Sequence, residues 1–170
     1  MALRAQGWHV SGVEVDEDRL AAAVDIGAVD TVGWDAEAEV SFVATPVGQI
    51  PEMVVEALAV APGGVVTDVG GVKAPVVEAV GDPRFVGGHP MAGSEQEGVE
   101  GADPAMFVDA NWVLTPSGDT DDGAFALIRS VVTSLGAEVV TLAPNRHDAL
   151  VALVSHVPHL TASALMGMAA

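Results

Sequence analysis

Val65-Val66-Thr67-Asp68-Val69-Gly70-Gly71-Val72-Lys73 is a β-branched run closed by two glycines, and it leads into a helix ending near Val80. The turn Pro62-Gly63-Gly64 precedes it, so the stretch predicts a buried strand, a tight turn and a helix in succession. The same order recurs along the chain. Upstream, Val40-Ser41-Phe42-Val43-Ala44 predicts a strand ended by Thr45-Pro46-Val47-Gly48, with a helix from about Ile50 to Val60. Nearer the start, Trp8 to Asp16 predicts a strand ending in acidic residues, and Glu17 to Val24 a short helix with Asp16 as N-cap. Downstream, Arg84-Phe85-Val86 predicts a short strand, 94–111 a loop, and Trp112 to Thr115 another strand. Ala124 to Leu135 follows as a helix, Glu138 to Leu142 as a further strand, and Asn145 as the cap of a long final helix. Strands alternating with helices across short Gly/Pro turns predict an α/β fold, an open, mainly parallel sheet covered on both faces. Ligands in such sheets bind beyond the carboxyl ends of the strands, which singles out the turns after Glu14, Ala44 and Val69 and the one at His89.

Half of the 170 residues are hydrophobic, enough for a packed core. Ala, Val and Gly dominate over aromatics, which suits buried parallel strands with helices packed close against them. The net charge of −18, with only six Lys and Arg, argues against a nucleic-acid partner, because no basic surface is available for phosphates. The absence of cysteine removes disulfides, thiolate metal sites and a cysteine nucleophile. The N-terminal segment is mixed, without the apolar core of a secretory signal. Ala149 to Ala170 contains no Asp, Glu, Lys or Arg and has the length of a bilayer span. Ser155, His156, Pro158, His159, Thr161 and Ser163 interrupt it, so it is read as a helix buried in protein at a subunit interface. The expectation is a cytoplasmic protein with no membrane partner.

Gly87-Gly88-His89-Pro90-Met91-Ala92-Gly93-Ser94-Glu95 places His89 just past the end of a buried strand. The glycines permit a tight turn and close approach to a ligand, and Pro90 fixes the exit direction. A histidine held by a stiff turn works as an acid or base near neutral pH. Glu14, a strand-terminal acid ahead of a helix, stands where a carboxylate accepts the 2′-hydroxyl of an adenosine ribose. With Asp16 beside it, two negative charges repel a 2′-phosphate, which favours NAD over NADP. The glycine fingerprint G-x-G-x-x-G is absent; only Gly63/Gly64, Gly70/Gly71, Gly87/Gly88 and Gly98-x-x-Gly101 occur. That motif lies about 20 residues ahead of the ribose acid. The chain starts 13 residues before Glu14, and Met1 to Gly7 reads as a helix tail stopped by Gly7. The first strand and its glycine turn are therefore expected to be missing, not mutated. His156 and His159 would share one helix face, with His147 pointing elsewhere. Two histidines without a neighbouring carboxylate predict no metal site, and Pro158 is expected to open the helix locally.

Taken together, Gly12-Val13-Glu14, Ala44-Thr45-Pro46-Val47, Thr67-Asp68-Val69-Gly70-Gly71-Val72-Lys73, the Gly87–Glu95 block, Leu114-Thr115-Pro116, and His147-Asp148 with Ser155-His156-Val157-Pro158-His159 resemble the prephenate dehydrogenase family, which includes arogenate and cyclohexadienyl dehydrogenases. The resemblance implies a Rossmann-like, doubly wound sheet lacking its first strand over residues 1–143. Residues 144–170 would begin an α-helical substrate and dimerisation domain. It implies oxidative decarboxylation of prephenate or arogenate with NAD, NADP being second choice, in a homodimer. It assigns His89 to the substrate's ring hydroxyl, His156 and His159 to the substrate side, and Ser94 and Glu95 to the pocket entrance. Thr45, Pro46, Val47, Asp68 and Gly70 would lie along the dinucleotide with Glu14.

Three departures from the family pattern stand out. The glycine-rich turn is expected to be missing, the family's common serine is Gly71 here, and the remainder of the helical domain is expected to be absent beyond Ala170. Two other readings therefore remain open: a folded module without dinucleotide affinity, and a related dehydrogenase acting on a small hydroxy acid.

Overall fold

The structure, a computed structural model, describes residues 1–93 and 98–169. The chain opens with helix α1 (Ala2–Ala5), closed by Gly7 at φ 89°, as the sequence predicts. A two-residue strand, β1 (Ser11–Gly12), leads to α2 (Glu17–Asp25). Asp16 caps α2 by accepting from the N–H groups of Asp18 and Arg19 at 3.0 and 3.1 Å. The expected strand over Trp8–Asp16 is thus cut to two residues. Beyond Gly12 the Glu14 carboxylate accepts from the Val15 and Asp16 N–H groups at 2.8 and 3.0 Å, so the side chain takes the donors that a ladder would use. A second short strand, β2 (Thr31–Val32), runs parallel to β1 and was not legible in the sequence.

The main sheet follows as β3 (Val40–Val43), α3 (Ile50–Val60), β4 (Val65–Asp68), α4 (Ala74–Val80), β5 (Phe85–Pro90), β6 (Asn111–Thr115), α5 (Asp122–Ser134) and β7 (Glu138–Thr141). Its order is β3-β4-β5-β6-β7, and β1-β2 form a separate pair. All neighbours are parallel except β5 and β6, which run antiparallel with His89 opposite Val113. Alternation along the strands divides the core between two faces. Val66 and Phe85 pack with Ile50, Val54 and Val76 under α3 and α4. Val65, Val86, Trp112 and Leu114 pack with Ala124, Ile128 and Val132 under α5. Helices therefore cover both faces, as the strand–helix alternation predicts.

The chain ends in α6 (Pro144–Val151), a π-helical turn (Ala152–His156) and α7 (Val157–Ala169). Asn145 is not the cap. Ala143 holds that position without a side-chain bond, and Pro144, whose fixed φ suits the first helical turn, starts α6. The π turn sits where Pro158 lacks the N–H for a regular helical bond, the local opening expected there. Residues Pro144–Met168 are long and apolar enough to cross a membrane by length and composition alone. Within this chain the segment is open: Leu160, Met166 and Met168 are 70, 75 and 85% exposed.

Candidate active site

The site is built where β4, β5, α4 and α6 converge. Side chains along β5 alternate, so Phe85, Gly87 and His89 face α4, while Val86 and Gly88 face α5. His89 lies inside β5, not beyond it as expected. Neither Gly87 nor Gly88 has a positive φ, so their role is room and not a turn. A Cβ at Gly87 would stand 2.5 Å from Thr115 Oγ1 and 2.9 Å from Val77 Cγ2. One at Gly88 would stand 2.5 Å from the Asp68 carbonyl oxygen and 3.1 Å from Trp112 Nε1. The glycine pair lets α4 and the Trp112 side press against the strand that presents His89.

Beneath His89 lies a fully buried ion pair. Lys73 Nζ donates to Asp68 Oδ2 and, at 2.8 Å, to the Gly88 carbonyl. Asp68 also accepts from the N–H of Gly70 through Oδ2 at 2.9 Å, and from the N–H of Gly88 through Oδ1 at 3.0 Å. Burial pulls the Lys73 ammonium below the usual lysine range, against the opposing pull of Asp68. The pair ties the end of β4, the start of α4 and the middle of β5 into one unit. Asp68, which the family resemblance sets along the dinucleotide, has its whole side chain enclosed and bonded to Lys73, Gly70 and Gly88, as an internal strut.

On the opposite side, His89 Nδ1 is 2.9 Å from Nε2 of His147, with the rings edge-to-face at 73°. His147 is fully buried on α6, and its Nδ1 is 2.8 Å from Asp148 Oδ1. Asp148 also accepts from the N–H groups of Lys73 and Ala74, at 2.8 and 2.9 Å, fastening α6 to the start of α4. Burial pushes the Asp148 carboxyl up, but the bonds from His147, Ala74 and Lys73 outweigh it and hold it below the usual carboxylate range. The His89 imidazole is pulled down to about 4, first by burial, then by His147 and Lys73, with Asp148 opposing. Near neutral pH it is an uncharged base. Its Nε2 faces Gly71, where a Cβ would sit 3.7 Å away in ordinary contact.

The remaining expected site residues divide. Thr45, at the carboxyl end of β3, has a buried hydroxyl with no partner among the described residues. Pro46 and Val47 beside it are exposed. Glu14 is exposed past β1, with Oε1 turned to its own backbone. A Cβ at Gly70 would stand 2.6 Å from Ile50 Cδ1 and 3.0 Å from Asp68 Oδ2. His156 and His159 are exposed on the π turn and α7, and no hydrogen bond among the described residues joins them to His89. Ser94 and Glu95 lie outside the described residues. Lys73, His147 and Asp148 stand in the family-like stretches of sequence, but nothing local there marks them as site residues. The signal was longer in range: His147-Asp148 followed one helical stretch later by Ser155-His156, which sets one histidine inward and the others outward.

The family model for the nucleotide-binding domain of prephenate dehydrogenase matches residues 1–141. The chain belongs to the prephenate dehydrogenase family. It is 32% identical to prephenate dehydrogenase of Bacillus subtilis over 94% of its own length and 46% of that protein's. Its fold superposes on prephenate dehydrogenase of Aquifex aeolicus, solved with hydroxyphenyl propionate and NAD+, with a TM-score of 0.91 at 29% identity, covering 98% of this chain and 63% of that one. Arogenate dehydrogenase of Synechocystis gives 0.85 at 34% identity, covering 98% and 63%. The chain therefore spans about half the length of the curated relatives it matches. The Rossmann-like fold expected from the sequence is the fold of this family.

Proposed function

We propose that the whole protein is an NAD-dependent prephenate dehydrogenase, converting prephenate to 4-hydroxyphenylpyruvate and CO2. The observation that carries this reading is His89, an uncharged imidazole held on a rigid strand with Nε2 open beside Gly71. Nε2 accepts the proton of the substrate's ring hydroxyl while hydride leaves the same carbon, which becomes a carbonyl. Loss of the ring carboxylate as CO2 then makes the ring aromatic. NAD, when bound, would supply the hydride acceptor.

The chain fits that cofactor at its two ends. The unpartnered Thr45 hydroxyl, with Pro46 and Val47, supports a contact at the carboxyl end of β3, and Gly70 offers only backbone. Glu14 retains Oε2 for a ribose hydroxyl, and Asp16 adds a second negative charge against a 2′-phosphate, in favour of NAD over NADP. The α2 N-terminus is occupied by the Asp16 carboxylate, so it does not receive the pyrophosphate. We assign residues 144–170 to the start of a helical substrate and dimerisation domain, with His156 and His159 on the substrate side and the apolar α7 surface covered in a homodimer. The substrate-side role of Ser94 and Glu95 belongs to the same proposal.

The test is spectrophotometric. Full-length protein given prephenate and NAD should form NADH, and arogenate should be turned over more slowly. Faster turnover of arogenate would move the assignment to that substrate, which the likeness to the Synechocystis enzyme keeps in view. No NADH with either substrate would overturn the proposal.

A further inference from the structure

We infer that His147 and Asp148 are positioning residues that hold His89 in its Nδ1–H tautomer, leaving Nε2 as a standing proton acceptor. The inference rests on the proposed role of His89 and explains how that role is secured. A carboxylate only accepts hydrogen bonds, so the 2.8 Å contact from Asp148 Oδ1 puts the hydrogen on Nδ1 of His147. Neutral His147 then has a bare Nε2. Only one hydrogen fits in the 2.9 Å contact between that nitrogen and His89 Nδ1, so His89 supplies it. The proton inventory of His89 is complete at Nδ1, and Nε2 is left with its lone pair toward Gly71.

The arrangement is fixed from outside the two rings. Asp148 is gripped by the backbone N–H groups of Lys73 and Ala74, so its orientation does not depend on His147. His147 is fully enclosed, and its backbone N–H is spent on the Ala143 carbonyl at 3.0 Å. Among the described residues, the charged and titratable groups facing His89 are Lys73 at the start of α4 and His147 and Asp148 on α6, with Asp68 of β4 behind Lys73. The rival arrangement protonates His147 on both nitrogens. It would reverse the shared bond, move the His89 hydrogen to Nε2 and leave no base at the substrate.

The experiment is nitrogen-15 NMR of the imidazoles in this chain near neutral pH, with His89 assigned through its own substitution. The expected spectrum shows His89 Nδ1 carrying the hydrogen and Nε2 bare. His147→Phe should mix the two tautomers, and His147→Gln, whose amide oxygen can accept from His89 Nδ1, should restore the wild-type pattern. In full-length protein, His147→Phe should lower kcat by at least about tenfold, part of the 10²–10⁴-fold that general-base work contributes, with KM for prephenate little changed. His147→Gln should recover most of that loss. A wild-type His89 protonated at Nε2 overturns the inference, whether or not any variant folds, as does His147→Phe with unaltered tautomer and kcat. If the tautomer is as stated but prephenate is not oxidised, the proposed function fails and the relay stands.

Discussion

Gly88→Ala is expected to destabilise the protein by about 2 kcal/mol without touching any group that does chemistry. The new Cβ would stand 2.5 Å from the Asp68 carbonyl oxygen, 2.7 Å from Thr67 Oγ1 and 3.1 Å from Trp112 Nε1. The first of these is backbone, so no rotamer change relieves it. Nor does β5 slide away freely, because the Gly88 N–H donates to Asp68 Oδ1 at 3.0 Å and its carbonyl accepts from Lys73 at 2.8 Å. Overpacking costs about 1–3 kcal/mol, and a clash with a backbone oxygen that cannot move aside falls at the upper end of that range. Stiffening of the unfolded chain by alanine returns only about 0.4–1 kcal/mol. At about 2–4 °C per kcal/mol for a chain of this size, Tm should fall by roughly 4–8 °C. Urea unfolding followed by tryptophan fluorescence measures it, with Trp112 buried beside the substitution. Gly48→Ala is the control: it lies in the 3-10 turn Val47–Gln49 with nothing within 4 Å of its Cβ, and should stay within about 0.5 kcal/mol of wild type. Equal stability of the two variants would refute the packing account of the glycine pair.

Three further outcomes follow from the buried groups. Lys73→Met strands the enclosed Asp68 carboxylate and should cost about 3–5 kcal/mol, while the double variant with Asp68→Asn should regain much of it; thermal unfolding of the single and double variants decides this. His89 binds protons more readily unfolded, near 6.5, than folded, near 4, so its contribution to stability is complete above about pH 6.5 and falls away as pH drops toward 4. Urea midpoints measured across that window should slope in wild type and flatten in His89→Gln, whereas the Asp148 contribution is lost only at lower pH, below the ordinary carboxyl value of 3.8. Gly71→Ser should fold normally, since its Cβ meets His89 Nε2 at 3.7 Å, and its hydroxyl should raise kcat on prephenate about 2–10-fold, the worth of one hydrogen bond. Steady-state kinetics of the full-length variant checks that rise.

Much of the architecture was legible because it is local. The β-branched runs, the Asp16 cap and the stop at Gly7 act within a few residues, and each formed as read. Pro158 likewise opened its helix by withholding one N–H. What escaped the sequence depends on contacts between distant segments. Gly87 and Gly88 were read as a turn because glycine commonly supplies one, yet here they make room for Asp68, Val77 and Trp112. The family resemblance sets Asp68 along the dinucleotide, but no local pattern shows that Lys73, five residues on, folds back to pair with it. His147 is 58 residues from His89, and no periodicity links a strand histidine to a helical one. The composition of the final helix predicts burial at a subunit interface, and within this chain Leu160, Met166 and Met168 stand exposed.

The central claim is that His89 is the base, and the pH profile of kcat/KM for prephenate in full-length wild type and His89→Asn tests it most directly. The wild-type profile should rise through about pH 4 and be flat near neutrality, as expected for an imidazole held that low. His89→Asn should lose about 10²–10⁴-fold in rate together with that rise. A variant that keeps wild-type turnover within a fewfold, or the same titration, would contradict it.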